Sequence, residues 1–117
     1  MVHCRMERIP ARFYKSDSGS EPVRDWLKSL PAADRKKIGE DIRTVQIGWP
    51  MGMPLVRKME KNLWEMRSHI NDGIARVFFT IKSQLIVLLH AFVKKSAASP
   101  KKDLELARGR MKEVQNG

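Results

Sequence analysis

The chain has 117 residues, 42% of them hydrophobic and 31% charged, a balance that predicts one folded domain over residues 1–117. Its 23 Lys and Arg residues exceed its 13 Asp and Glu residues and give a net charge of +10, which favours a polyanionic partner. A single cysteine excludes an internal disulfide, and the longest apolar run is too short to span a bilayer, so we expect a cytoplasmic protein without a membrane partner.

The first half of the chain predicts a short strand followed by two helices. Residues 9–14 suit a strand that Pro10 confines to a sheet edge or a strand start. Pro22 suits the first turn of a helix, and apolar residues then recur at helical spacing. A second helix is expected from about Ala32 to Gln46. The Pro- and Gly-rich residues 48–54 predict a loop of turns.

The second half predicts three strands, at about Leu63–His69, Ile74–Ile81 and Leu85–Val93, joined by hairpin turns at residues 71–73 and 82–84. A last helix follows, with Ser99 as its cap and Pro100 at its first position. Its apolar side is expected to consist of Leu104, Ala107, Met111 and Val114.

These elements predict an α+β fold in the order β-α-α-β-β-β-α. Two N-terminal helices would pack on a mainly antiparallel sheet of about four strands, and a C-terminal helix would follow.

Cations lie on the predicted strands, where they are costly unless they face something negative. Strand alternation groups every second residue of the last strand on one face: Leu88, His90, Phe92 and Lys94. If the faces match across the hairpins, one concave surface carries five candidate residues: Arg67, Arg76, His90, Phe92 and Lys94. Arginines suit a bidentate grip on phosphate, and an aromatic ring beside them can stack on an unpaired base.

Structural explanations compete with this one. The two strand arginines could instead be partnered by Glu65, Glu60 or Asp72, and His90 could be a hydrogen-bonded core residue. The basic surface could also be a solvated face without a specific ligand. One cysteine and no cluster of metal-binding residues predict neither a metal site nor a cofactor.

Three segments carry a family resemblance. The sequence LWEMR at 63–67, the strand at 73–79 and LLHAFVKK at 88–95 with the Ser-Pro that follows closely resemble the phage-derived HigB-type branch of the RelE toxin superfamily. The resemblance covers about residues 12–113. It implies a RelE-like fold and the toxin of a type II toxin–antitoxin pair, acting on messenger RNA at the ribosome and silenced by a helix-turn-helix, HigA-like antitoxin.

The resemblance also implies a metal-free reaction, in which the ribose 2′-hydroxyl attacks the adjacent phosphate. Arg67 resembles a strand lysine that acts in proton abstraction, and Arg76 resembles the arginine that holds the scissile phosphate. Lys95, with Lys94 beside it, takes the place of a further arginine.

This chain departs from the family pattern at two positions. An arginine at position 67 stays protonated and is a poor base. The superfamily's tyrosine near the last helix has no counterpart, since the only tyrosine is Tyr14. His90, Lys94 or Lys101 would then have to supply the acid or the base.

RNA contacts outside the reaction are expected from four residues: Lys58, Lys61, Phe92 and Lys101. Two rival functions remain open. One is a ParE-like inhibitor that binds DNA gyrase and cuts nothing, and the other is an RNA- or ribosome-binding module without catalysis.

Overall fold

The structure is a computed structural model that describes residues 8–71, 73–94 and 100–117. Three helices and five strands follow one another along the chain: β1 Ala11–Phe13, α1 Pro22–Lys28, α2 Ala32–Gly48, β2 Val56–Glu60, β3 Leu63–Ile70, β4 Gly73–Lys82, β5 Leu85–Lys94 and α3 Lys101–Asn116. This arrangement confirms the α+β class and is compatible with a RelE-like fold. Within the described ranges, no helix combines the length and the apolar character that crossing a membrane requires.

The five strands form one mixed sheet in the order β1-β5-β4-β3-β2. β1 pairs in parallel with β5, and the other neighbours are antiparallel. β1 occupies an edge, as Pro10 predicts, and the Pro10 carbonyl accepts a hydrogen bond from the Ile86 amide at 2.9 Å.

The sheet has one strand more than the sequence predicts, because the sequence of β2 does not indicate a strand. Only Val56 of this strand is buried, while Arg57 and Lys58 are exposed. Such a segment lacks the apolar alternation by which a strand is recognised. It is a strand because β3 supplies its hydrogen-bonding partner along the sheet edge.

One face of the sheet, here called the helix-pair face, packs against α1 and α2. Val23 from α1 and Ile38 and Val45 from α2 are buried there against alternate residues of the strands. The apolar residues that recur at helical spacing along α1 lie in this core, as expected. Strand residues of the same core come from every second position: Met66, Ala75, Val77, Phe79, Ile86 and Leu88.

The opposite face, here called the α3 face, packs against the C-terminal helix. The predicted apolar side of α3 is confirmed, since all four residues join one core with Phe78 and Leu89 of the sheet: Leu104, Ala107, Met111 and Val114. Pro100 is the residue before the first turn rather than within it, and Ser99 lies outside the described residues. The sheet is therefore sandwiched between a helix pair and a single helix.

The β4–β5 hairpin has a two-residue turn whose centre is Ser83 and Gln84, with φ of 52° and 60°. Positive φ at both central residues is what a tight hairpin with right-handed strand twist requires. The turn lies where the sequence predicts it, within residues 82–84, and it sets the pairing of Lys82 with Leu85.

Further along this hairpin, a β-bulge changes which side chains share a face. Phe79 pairs with Leu88 and Phe78 with His90, so that Leu89 is the extra residue. Leu88 consequently lies on the helix-pair face, whereas Leu89 lies on the α3 face. The expectation that Leu88 lies with His90 is therefore wrong, because simple alternation does not survive an inserted residue.

Candidate active site

The register of β3, β4 and β5 brings the five predicted surface residues to one face of the sheet. Arg67 is opposite Arg76, and Arg76 is opposite Phe92, which makes one row across three strands. His90 lies in the next row, opposite Phe78, and Lys94 lies in the row on the other side. Directly opposite residues have Cβ atoms about 5 Å apart, so these residues form a continuous patch.

This patch lies beside α3 rather than beneath it. The helix packs on the part of the face formed by residues such as Phe78 and Leu89, and its C-terminal end reaches Lys82. Its first turn reaches His90 through Asp103. The rows of Arg67, Arg76 and Lys94 lie beyond that turn. We call the group Arg67, Arg76, His90, Phe92 and Lys94 the cationic half-face.

Arg76 is the most buried member of the cationic half-face, with 8% of its surface exposed. One guanidinium nitrogen donates a hydrogen bond to Glu65 Oε2 at 3.2 Å, and Glu65 is completely buried. The alternative that a strand arginine is partnered by Glu65 is thus confirmed for Arg76. A buried ion pair of this kind costs desolvation, but it holds the guanidinium in a fixed place.

The pair leaves hydrogen-bonding capacity unused. Over the described ranges, three buried polar atoms of this region lack a partner: Glu65 Oε1, Arg67 Nε and Arg76 Nε. Buried polar groups are nearly always hydrogen-bonded, and exceptions concentrate where a ligand or water completes the set. Two of the three atoms are donors on neighbouring arginines, which suits an incoming anion.

His90 is held from two sides. Its Nε2 lies 2.7 Å from Asp103 Oδ1 on α3, and its ring stacks on Phe92 with centroids 5.7 Å apart and an interplanar angle of 24°. A carboxylate can only accept, so the neutral imidazole carries its proton on Nε2 and leaves Nδ1 as the acceptor. The ring is thereby oriented in a way that suits proton transfer.

The remaining predicted residues lie elsewhere. Lys58 of β2 is opposite Trp64, and its Nζ lies 6.0 Å from the centre of the Trp64 ring, so that it belongs to the helix-pair face. Lys61 is exposed in the turn after β2, and Lys101 is exposed at the start of α3. Lys95 lies outside the described residues.

The comparison with protein families identifies a family that covers most of the chain. The family described as "Phage derived protein Gp49-like (DUF891)" matches residues 25–112. The chain belongs to the Gp49-like family. It is a RelE/HigB-like toxin family. No curated protein matches the chain.

Two residues of this Gp49-like chain join the candidate site without having been predicted. Arg57 of β2 is opposite Glu65 and extends the row of His90 to the sheet edge. It was missed because β2 itself was missed. Asp103 was missed because a contact with a residue of another element, 13 positions away in the chain, leaves no periodic signal in sequence.

Shifted pKa values in the Gp49-like chain occur around α3, outside the cationic half-face. Burial, followed by the hydrogen bond to Glu113 Oε1 at 2.9 Å, raises the pKa of Tyr14. Two hydrogen bonds from Arg108, at 2.8 and 2.9 Å, lower the pKa of Glu60. Both pairs attach α3 to the strands, and neither touches Arg67 or Arg76. No group of three metal-binding side chains occurs in the part of the chain that the structure describes.

Proposed function

We propose that this Gp49-like protein is the toxin of a type II toxin–antitoxin module and a ribosome-dependent messenger RNA endoribonuclease of the HigB type. The observation that supports this most directly is the cationic half-face, where two strand arginines and a lysine adjoin an oriented histidine. Cleavage by the neighbouring 2′-hydroxyl needs positive charge and proton transfer, and both are available there without a metal.

Binding of the scissile phosphate is assigned to Arg67 and Lys94, the more exposed cations. Arg76, fixed by Glu65, lies in the adjacent position and contributes its charge from beneath them. Charge on the phosphorane oxygens grows during in-line attack, so donors fixed before the reaction stabilise the transition state more than the ground state.

Proton transfer is assigned to His90 as the general base, acting through Nδ1 on the 2′-hydroxyl. Arg67 cannot fill this role, because its guanidinium does not lose a proton in the ordinary pH range. Lys94, two strand positions beyond Phe92, is assigned as the acid that protonates the 5′-oxygen leaving group. Lys95 and Lys101 follow it and would hold the flanking backbone.

Substrate delivery is assigned to the ribosome. The exposed Lys58 and Lys61 at the opposite end of the sheet would contact ribosomal RNA or flanking phosphates, and Phe92 would stack on an unpaired base. A helix-turn-helix, HigA-like antitoxin is the proposed cognate partner. It would silence the toxin by meeting the net charge of +10 with an acidic segment.

The test adds the protein to a translation reaction with a defined messenger RNA and maps new 5′ ends. We expect ribosome-dependent cuts that leave 5′-hydroxyl ends. Arg67→Ala should slow cleavage by roughly 100- to 1,000-fold, the effect of removing one donor to a developing anion. Arg43→Ala, an exposed arginine on α2, should leave the rate unchanged.

The rivals make different predictions in the same reaction. A ParE-like gyrase inhibitor would leave messenger RNA intact and block DNA supercoiling by purified gyrase. A non-catalytic RNA-binding module would bind ribosomes and stop translation without producing new ends. Absence of cleavage at any protein concentration, with a folded protein, overturns the nuclease.

A further inference from the structure

The bulge at Leu89 determines where His90 points. With uninterrupted alternation, Leu88 on the helix-pair face would be followed by His90 on that same face, inside an apolar core. The inserted residue instead places both Leu89 and His90 on the α3 face. Bulges of this kind often occur next to active sites, where they redirect a side chain.

The bulge is itself held by α3. Its carbonyl, that of Leu89, accepts a hydrogen bond from Arg110 at 2.8 Å. The Arg110 guanidinium lies 5.1 Å from the centre of the Tyr14 ring, and Tyr14 donates to Glu113. The carbonyl would otherwise be an unpaired polar group, so Arg110 stabilises the distorted strand at the residue preceding His90.

Two turns earlier on the same helix, Asp103 contacts His90. The Nε2–Oδ1 distance of 2.7 Å is that of a charge-assisted hydrogen bond. The side chain of His90 is 17% exposed, and that of Asp103 is 34% exposed. A single helix therefore stabilises the bulge through Arg110 and determines the imidazole orientation through Asp103.

We propose that Asp103 is a positioning residue, which holds His90 with its proton on Nε2 and presents Nδ1 to the substrate. This inference rests on the proposed function, since it gives the general base its orientation. Charged residues on the strands of the same face are Glu65 and Arg57 in the row of His90, two and three strands away, and Arg76 in the next row on the adjacent strand. The opposite charges of Glu65 and Arg76 offset each other through their own ion pair.

A purely structural role is the competing explanation, because the same contact attaches the first turn of α3 to β5. Both roles predict some loss of stability in Asp103→Ala. They differ when His90 is replaced by glutamine, whose side-chain N–H can still donate to Asp103 but which cannot act as a base. A positioning residue then has no base to position, whereas a structural contact still affects the reaction through the fold.

The first measurement is independent of activity. In a ¹⁵N-labelled protein, the ring N–H resonance of His90, assigned by its loss in His90→Gln, should be attached to Nε2 and exchange slowly with water. Asp103→Ala should abolish that protected resonance, and Glu105→Ala, an exposed carboxylate on the same helix, should retain it. A proton found on Nδ1 in the wild-type protein overturns the proposal.

The second measurement is a double-mutant cycle on cleavage. Asp103→Ala should slow the reaction by about 10- to 100-fold, as loss of an orienting partner does. In a His90→Gln background it should change the rate by less than about twofold. Equal effects in both backgrounds overturn the positioning role. Should Asp103→Ala not fold, Asp103→Leu, which also removes the acceptor but fills the space of the side chain, replaces it.

The two measurements separate this inference from the proposed function. If the wild-type protein does not cut messenger RNA, the nuclease assignment fails while the ring resonance still reports the Asp103 contact. If it cuts and the cycle is additive, the nuclease stands and the positioning role fails.

Discussion

The two faces of the sheet differ in how they use the same alternation of strand residues. The helix-pair face is covered by two helices. An aromatic cluster completes this cover, in which the centroid of the Trp49 ring lies 5.1 Å from that of Trp64 and 5.5 Å from that of Phe79. The α3 face is covered by one helix over part of its area, and cations occupy the rest. The larger of the two apolar cores thus lies on the helix-pair face. The part of the α3 face that the helix leaves uncovered can carry charge that a complete core would exclude.

The polar contacts of the two faces differ in the same way. On the helix-pair face, the buried Ser68 donates to Asp41 of α2 at 2.6 Å, which satisfies its single hydroxyl proton. On the α3 face, Glu65 and Arg76 are paired but retain unpartnered atoms within the described ranges. A satisfied contact stabilises a fold, whereas an incompletely satisfied one suits a ligand.

The largest expected effect tests whether the apolar cores on both faces of the sheet stabilise the fold. Phe78 and Phe79 are adjacent, fully buried and on opposite faces. Each substitution by alanine should lower the free energy of unfolding by about 3–5 kcal/mol, measured by urea denaturation. Phe78→Ala should also increase amide hydrogen exchange in α3, whereas Phe79→Ala should increase it in α1 and α2. A loss below about 1 kcal/mol for Phe78→Ala would show that α3 is only loosely attached.

The next effect concerns the buried charge. Glu65→Ala leaves Arg76 buried without its partner and should destabilise the protein by about 3 kcal/mol. Adding Arg76→Met should recover most of that loss, because the uncompensated charge is then removed. Glu40→Ala, an exposed carboxylate on α2, provides the control and should change the unfolding free energy by less than about 0.5 kcal/mol. Failure of the double variant to recover would show that Glu65 has a packing role of its own.

How far the sequence predicts the difference between the two faces of the sheet depends on the kind of interaction. Periodicity is a local property, so it predicts the helices, the three long strands and the face on which Arg67 and Arg76 lie. Register across a hairpin does not follow in the same way, because the residue types of Ser83 and Gln84 do not favour their positive φ and the bulge at Leu89 shifts the pairing. A polar edge strand such as β2 does not follow, since its pairing partner rather than its own composition makes it a strand.

Two features of the candidate site cannot be predicted from the sequence: the bulge at Leu89 and the contact between Asp103 and His90. An inserted residue has no signature in the apolar run of β5, because residues 85–89 are all hydrophobic and fit either face. The carboxylate that contacts His90 belongs to another element, the C-terminal helix. Sequence thus indicates the candidate residues of the site, and tertiary packing determines which of them are oriented.

A smaller effect concerns the C-terminal ends of two helices, α3 on one face of the sheet and α1 on the other. Lys82 of β4 donates to three carbonyls at the end of α3, those of Val114, Gln115 and Gly117, at 2.8, 3.1 and 2.6 Å. Lys82→Met should reduce the free energy of unfolding by about 1 kcal/mol, through lost hydrogen bonds and the lost cation at a helix C-terminus. Lys28→Met, an exposed lysine in the last turn of α1, should cost less than half as much. Equal losses would remove this distinction between the faces.

The smallest effect is a pH dependence confined to the α3 face. Burial and Glu113 raise the pKa of Tyr14 above its ordinary value of 10.0, so the folded protein holds the phenol proton at pH values where the unfolded chain releases it. The resulting stabilisation is fully present below pH 10 and is lost as the pH rises through the folded-state pKa. Tyr14→Phe should cost about 1 kcal/mol at pH 8, through the lost hydrogen bond to Glu113. Because the phenylalanine cannot titrate, urea denaturation should show this difference narrowing above pH 10, while lysine titration affects both proteins alike. A difference that stays constant with pH would mean that the Tyr14 phenol is not held by burial and Glu113 in the folded protein.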